Sequence, residues 1–414
     1  MRLRLRCLPP VGGRISPRAL FGALRDSVVA ASGGPTGVQG LRSQLAARTG
    51  LSQWVLTNSG RAALSIVLMA LRAMRPGRDE VVIPAYTSYS VPAAVVRAGL
   101  RVRLCDIETD TLGLSPKELE RVLTARTLCI VPNHLYGLAC QIKAICEIAR
   151  ERTVPVVEDA AQAMGITNAG LPVGTFGDAA IFSLSRGKIL PAAGGGLIGT
   201  NEKTLAQQCH RMIEATRSSS KEGRALGLRG VIETTLMALF IHPSLYWLPA
   251  SLPFLKLGAS RYDPGFQIGP MTRFQESLAA RLLPAFVELQ SIRRRNANLL
   301  RRALTGNNGT AGFWIVWPRQ GEVGGFLRLP LLLRDSTARN RVLAELERQG
   351  LGATGGYPLP LSEIAKLRAH LAGPDDEFPV AKRVSTQLVT LPTHACVTDR
   401  DVERMKKVFQ QCAP

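Results

Sequence analysis

The sequence predicts an α/β protein, with a mainly parallel sheet in a large α/β/α domain and a smaller α+β domain after it. Three observations predict this. Short apolar runs alternate with helix-like segments from about residue 53 to 200, as in successive strand–helix–strand units. The runs, such as EVVIP at 80–84 and TLCIVP at 127–132, are continuously apolar, as strands covered on both faces are. Beyond residue 260 the alternation gives way to a long helical stretch and then mixed elements. A length of 414 residues suits two domains.

The elements follow in order. Residues 54–56 form a short strand and 62–74 a helix; strand 80–84 leads to helix 90–98 and strand 102–105. Ser115 is a good N-cap for the next helix, Pro116 suits its first turn, and Glu118 can close a capping box. Strand 127–132, helix 142–150 and strands 154–157, 179–184 and 196–199 complete the large domain. Residues 273–304 read as one helix with arginines on its polar face. Strand 325–333, helix 337–349 and strand 387–391 build the small domain, and a last helix starts at Thr398 with Asp401 three residues on. The divisions expected are a basic N-terminal arm (1–40), a large domain (41–260), and the long helix with the small domain (261–414).

Hydrophobic residues make up 46% and charged residues 20%, which supports a large core and excludes a disordered chain. Lys plus Arg total 52 against 31 acids, a formal charge of +21. Codon bias explains such a surplus, and so does an anionic partner: a phosphorylated substrate, nucleic acid or a membrane surface. There is no helix-turn-helix signal and no interleaved aromatic–basic patch, so nucleic acid is not expected. None of the eight cysteines forms a CxxC pair, and the adjacent Cys209-His210 cannot make a metal site alone. The thiols read as buried and free, as in a reducing cytoplasm.

Residues 1–50 carry eight arginines and one acid, Asp26, with early prolines at 9, 10 and 17. They read as a loose arm and not as a signal peptide. Residues 234–255 hold no Asp, Glu, Lys or Arg, long enough to span a bilayer, but Pro243, Pro249 and Pro253 interrupt them. A buried or interfacial segment is expected. Peripheral membrane contact through Tyr246, Trp247 and the arginines is the further reading.

Parallel sheets bind ligands at the carboxyl ends of their strands, and polar residues cluster there. Asn58-Ser59-Gly60-Arg61 turns from a strand into an alanine-rich helix, and free amides at such a start bind phosphate; many α/β turns look the same. Glu158-Asp159 ends another strand. Asp159 there is either a helix N-cap or a carboxylate for a cofactor nitrogen. Lys188 lies in the loop Ser185-Arg186-Gly187-Lys188 after Ser183, with Gly194-Gly195-Gly196 beyond. It is either a solvated surface lysine or one suited to covalent chemistry. His134 is either cavity-lining or structural.

Taken together, the glycine turn, Asp159-x-x-Gln162, Ser183-x-x-x-x-Lys188 and the glycine pair occur in one order. This resembles the DegT/DnrJ family of sugar aminotransferases, which are fold-type-I pyridoxal-phosphate (PLP) enzymes. Further matching segments are IPAYTSYSVPAAVVRAG (83–99), HLYGLACQI (134–142), LPVGTFGDAAIFSLSRGK (171–188) and LPTHACVTDRDVERM (391–405), so the resemblance covers about residues 40–414. It implies that Lys188 bonds PLP and shuttles a proton, and that Asp159 pairs with the pyridinium nitrogen. It places Gln162 beside the ring, and Ser183, Gly60 and Arg61 at the phosphate. Arg61 stands where the family usually has threonine. Where the family has an aromatic after threonine, this chain has Thr87-Ser88, with Tyr86 and Tyr89 on either side as stacking candidates; Tyr89 is carried forward as cofactor-binding. The stretch FQIGPM (266–271) lacks the family's asparagine and Arg-Met pair.

The resemblance implies a cytoplasmic homodimer that moves an amino group, with glutamate as donor, to a nucleotide-linked keto sugar in polysaccharide or secondary-metabolite synthesis. The rival readings are transamination of a non-sugar ketone and a non-catalytic membrane-surface or regulatory protein of the same fold.

Overall fold

The structure, a computed structural model, describes residues 6–13, 15–31, 40–185, 187–217, 231–232, 234–236, 238–251, 261–305, 312–373 and 377–412. Its centre is a sheet assembled from two hydrogen-bonded groups. One contains β1 (Gln53–Thr57), β9 (Gly196–Thr200), β8 (Ala179–Ser183) and β5 (Val157–Asp159); the other contains β3 (Arg101–Cys105), β2 (Glu80–Pro84) and β4 (Thr127–Ile130). Parallel bridges Ile130–Val156 and Asn133–Asp159 join β4 to β5. The spatial order is therefore β3-β2-β4-β5-β8-β9-β1. All strands run one way except β9, which is antiparallel to both neighbours. Strands β2, β4 and β9 are buried along their whole length, as their apolar sequences require.

Helices α2 (Leu41–Thr49), α3 (Gly60–Met74), α4 (Ser90–Arg97), α5 (Pro116–Val122), α6 (Ile142–Glu151) and α7 (Lys203–Arg217) pack around the sheet. Ser115 caps α5 by position only. Its hydroxyl donates instead to Glu108 Oε1 at 2.6 Å, so the expected capping box does not form.

Three two-residue strands, β6 (Thr167–Asn168), β7 (Leu171–Pro172) and β11 (Glu322–Val323), form a separate antiparallel group. The small domain is an antiparallel sheet of β10 (Phe313–Ile315), β12 (Arg328–Leu333) and β13 (Leu388–Pro392). Helices α10 (Ser336–Arg348), α11 (Pro379–Gln387) and α12 (Asp399–Cys412) accompany it. Thr398 caps α12 as expected: the Asp401 amide donates to its hydroxyl, and its own amide donates to Asp401 Oδ2. Strand β12 starts three residues later than the apolar run. Gly325 and Leu327 donate their amides to Gly137 and Tyr136 of the large domain and so leave the small sheet. The single helix expected over 273–304 is two, α8 (Arg273–Leu282) and α9 (Phe286–Thr305), joined by a tight turn at Leu283–Ala285. Pro284 has no N–H for the helical ladder.

The N-terminal segment is not a loose arm in its described residues. Helix α1 (Pro17–Ala31) packs along α8. The one acid in the segment, Asp26, is 3% exposed and receives Ser277 Oγ at 2.6 Å and Arg281 Nη2 at 2.7 Å. Ahead of it, Arg6 pairs with Asp401, Leu8 donates its amide to Gly350, and Gly12 accepts from the buried Arg293. His394, the histidine of the LPTH motif, donates to the Pro9 carbonyl. Burial, with Arg293 beside it, pushes the His394 pKa down to about 3, so the ring is neutral and structural.

The described part of 234–255 holds only broken helical turns such as Trp247–Ala250. Leu236, Leu239, Leu245 and Leu248 are exposed, so the segment is not buried within the chain; residues 237 and 252–255 lie outside the described residues. Among the described residues no helix is long and apolar enough to cross a membrane.

Candidate active site

The carboxyl edge of the sheet gathers the candidate residues from three separate chain segments. After β1, Ser59 caps α3 and its hydroxyl accepts the Ala62 amide at 3.2 Å. The Arg61 amide has no partner among the described residues, as expected in the first turn of a helix, while the Gly60 amide faces the Gly195 carbonyl in the bridge between Ser59 and Gly195. A Cβ on Gly60 would lie 2.8 Å from Ser183 Cβ, so only glycine lets the helix start and the end of β8 approach this closely. Ser183 Oγ donates to Ser185 Oγ at 3.0 Å. These groups form a small donor-rich cradle of the kind that holds a phosphate. The Arg61 guanidinium lies over the Phe266 ring, 4.6 Å from its centroid. Phe266 belongs to the FQIGPM stretch, which folds onto β1: Asn58 donates its amide to Gly269 and its side chain to Gln267.

The acidic pair at the end of β5 divides its labour. Glu158 is fully buried and accepts the amides of Phe176, Gly177 and Gly174 at 2.7–2.8 Å, with His134 Nε2 at 3.1 Å. It anchors the 174–177 turn. Burial opposes a charged His134 ring and Glu158 favours one. The Cys140 amide, donating to Nδ1 at 3.3 Å, requires a bare nitrogen there, so the ring is neutral with its proton on Nε2. His134 is a satisfied structural histidine. Asp159 has no such shell: among the described residues its carboxylate accepts one hydrogen bond, from the Ala161 amide at 3.1 Å. Burial pushes its pKa up, opposed by that amide and by Lys188.

Lys188 and Gln162 line one cavity with Ala161, Ser183 and Leu184. The Lys188 amine makes no hydrogen bond or ion pair among the described residues. Burial pulls its pKa down to about 8, with Asp159 opposing. An amine that is partly neutral near pH 7 is a nucleophile towards aldehydes. Arg186, two residues before it, lies outside the described residues. Gln162 accepts the Tyr136 amide at 3.0 Å and donates to Tyr357 Oη at 3.2 Å. Tyr89 is buried; its hydroxyl donates to the Leu359 carbonyl and accepts the Leu359 amide, both at 3.0 Å. Tyr86 is fully buried and accepts the Tyr357 amide.

The structure thus brings Gly60, Ser183, Asp159, Gln162 and Lys188 to one strand edge. Sequence reasoning missed Tyr357, which reaches this site from the small domain. Its local signal is Gly355-Gly356-Tyr357-Pro358, an aromatic in a glycine–proline turn. Among the described residues no cluster of three or more His, Cys, Asp or Glu is placed to hold a metal ion.

Over residues 23–410 the chain matches the DegT/DnrJ/EryC1/StrS aminotransferase family. It belongs to that family. It is similar to GDP-perosamine synthase of Caulobacter vibrioides, 29% identical over 87% of this chain and 86% of that one. It is also similar to the UDP-N-acetyl-3-dehydro-alpha-D-glucosamine 3-aminotransferase of Acidithiobacillus ferrooxidans, 27% identical over 95% and 96%. A pleiotropic regulatory protein of Geobacillus stearothermophilus is 28% identical over 86% and 83%. Among solved structures, DesI in the presence of its TDP-sugar product superposes with a TM-score of 0.77 at 22% identity, covering 99% of this chain and 94% of that one. Helicobacter pylori PseC, an aminotransferase of pseudoaminic acid biosynthesis, gives 0.76 at 16% identity, covering 99% of each. These likenesses show the fold, that of the fold-type-I sugar aminotransferases.

Proposed function

We propose that this family member is a PLP-dependent aminotransferase that moves an amino group from glutamate to a nucleotide-linked keto sugar. The observation that carries the reading is the Lys188 amine, its pKa lowered by burial, which lies within the field of Asp159 and lines one cavity with Gln162 and Ser183. The donor set fits PLP: an amide cradle for the phosphate, a carboxylate for the ring nitrogen, an amide side chain for the ring face and an amine for the aldehyde. When bound, PLP supplies an electron sink for the carbon that exchanges its amino group. Gly60, Arg61 and Ser183 hold the phosphate, with Arg61 contributing its backbone amide while its guanidinium rests on Phe266. Asp159 keeps a proton on the ring nitrogen. Gln162 orients the ring, Tyr89 contributes to the aromatic wall, and Lys188 holds the cofactor and carries the proton during exchange. The basic surplus suits a diphosphate-linked substrate.

We further infer a cytoplasmic homodimer. The exposed leucines of 236–248 form the surface for peripheral membrane contact. Sedimentation of the pure protein as a monomer contradicts the first, and failure to pellet with anionic vesicles contradicts the second.

The test is an absorbance spectrum of the purified protein with PLP. A visible band that is absent in Lys188→Ala and bleached by glutamate supports the reading. Nucleotide-linked keto sugars then restore the band; restoration only by other ketones favours the non-sugar alternative. No PLP uptake at all moves the non-catalytic reading to the front.

A further inference from the structure

The strongest unassigned feature is a knot of tyrosines where the small domain meets the cavity. The loop between α10 and α11 descends onto the large domain at Gly355–Pro360. Two hydroxyls from the 86–89 segment receive it. Tyr86 Oη accepts the Tyr357 amide at 3.0 Å, and Tyr89 Oη is bonded both ways to the Leu359 backbone at 3.0 Å. Gly356 makes the approach possible. It has φ +70°, and a Cβ there would lie 2.6 Å from Tyr86 Oη and 2.8 Å from Tyr136 Oη, so any other residue would hold the loop away. The Tyr357 ring packs against both partners, with centroids 5.7 Å from Tyr86 and from Tyr89. Its hydroxyl takes the hydrogen bond from Gln162 Nε2, and it lies within the fields of the Ser88 hydroxyl and the Asp159 carboxylate.

A planar cofactor ring paired with Asp159 and oriented by Gln162 needs a wall. Tyr357 is the aromatic side chain that touches Gln162 and senses Asp159. We propose that Tyr357 is a cofactor-positioning residue, supplied by the small domain and set in place by Tyr86 and Tyr89 acting as a latch. It follows that closure of the small domain and cofactor retention are coupled through a single loop. This proposal rests on the PLP reading above.

Equilibrium dialysis of the apoprotein against PLP, paired with thermal unfolding of the apoprotein, tests it. An aromatic contact contributes about 0.5–1.5 kcal/mol beyond its area, so Tyr357→Leu raises the Kd for PLP by about two- to tenfold. Tyr357→Phe keeps the ring and recovers most of that affinity. Tyr89→Phe frees the loop and weakens PLP binding in the same direction. Adding it to Tyr357→Leu costs nothing more, because the latch then positions nothing. A Tyr357→Leu protein that melts lower but binds PLP as wild type does would mean a purely structural tyrosine and overturn the proposal. A wild-type protein that takes up no PLP overturns the underlying reading first, and is distinguished by that control.

Discussion

The amine of Lys188 gives the sharpest test of the site, because its chemistry follows from burial alone. Burial lowers its pKa from the ordinary 10.5 to about 8. At pH 7 about one amine in ten is then neutral, against about one in 3,000 for an ordinary lysine, an advantage of about 300-fold in nucleophile. Trace acetylation of the apoprotein across a pH series, with the Lys188 peptide quantified by mass spectrometry, reads this directly. Its labelling should be half-maximal near pH 8. Asp159→Asn should move that midpoint lower, since the Asp159 charge favours the protonated amine and its removal leaves burial unopposed. The same shift has a stability consequence. The unfolded chain holds this proton up to its ordinary pKa and the folded chain releases it near 8, so stability rises with pH between those values, by at most about 3 kcal/mol. A Lys188 midpoint near the ordinary 10.5 would refute the reasoning. It would mean that water reaches the amine freely and that the cavity does not prime it.

Three other perturbations separate structural from functional groups. Glu158→Gln places an amide where three backbone donors and His134 converge, so at least one donor loses its acceptor. The cost is about 2–5 kcal/mol, read as a lower melting temperature with or without PLP. Gly60→Ala drives a methyl into Ser183 and should lower PLP retention sharply while thermal stability changes less; normal PLP affinity in this variant would argue against the cradle. Asp26→Ala leaves Arg281 without its carboxylate and should destabilise by about 1–3 kcal/mol, with α1 the first region cut in limited proteolysis. Although burial raises it, the Asp26 carboxyl is held below its ordinary value by Ser277 and Arg281. Its contribution is therefore complete above the ordinary carboxylate range and lost only as pH falls through the lowered value.

Much of this architecture is legible in the sequence, for a physical reason. Strands covered on both faces must be apolar throughout, so β2, β4, β8 and β9 stand out, and the polar residues at their ends mark the functional edge. That draws notice to Gly60, Asp159 and Ser183 as strand-end residues, while a role for them and for Lys188 comes only from the resemblance to the family. Features decided by long-range contacts are less visible. Asp26 looks like a stray acid in a basic arm until Arg281, 255 positions away, is seen to hold it. Ser115 looks like half of a capping box until Glu108 takes its hydroxyl. Glu158 and Asp159 are adjacent carboxylates with opposite roles. Strand alternation points them to opposite sides of the sheet, but only the 174–177 turn reveals which of them is consumed by backbone amides. Tyr357 is the clearest omission, because nothing near it in sequence is part of the site.

The contrast between satisfied and unsatisfied groups carries the functional argument independently of kinship. A buried polar group without partners costs about 1–3 kcal/mol, and most buried polar side chains avoid it, although Asp110 Oδ1, Asn133 Oδ1, Tyr136 Oη, Tyr262 Oη and Arg328 Nη1 have no partner among the described residues. Buried Arg293 reaches the Leu327 and Gly12 carbonyls, buried His394 bonds at both nitrogens, and Glu158 accepts four donors. At the carboxyl edge of the sheet the pattern reverses. The Arg61 amide, the Lys188 amine and Oδ2 of Asp159 make no hydrogen bond among the described residues, and they come together from three distant segments. An amide donor, an amine and a carboxylate at one edge are complementary to an anionic, ring-bearing aldehyde. A regulatory protein that had abandoned catalysis would have no use for an amine whose pKa is lowered in this way. The titration of Lys188 therefore bears on the choice between an enzyme and a catalytically silent relative as directly as any activity assay.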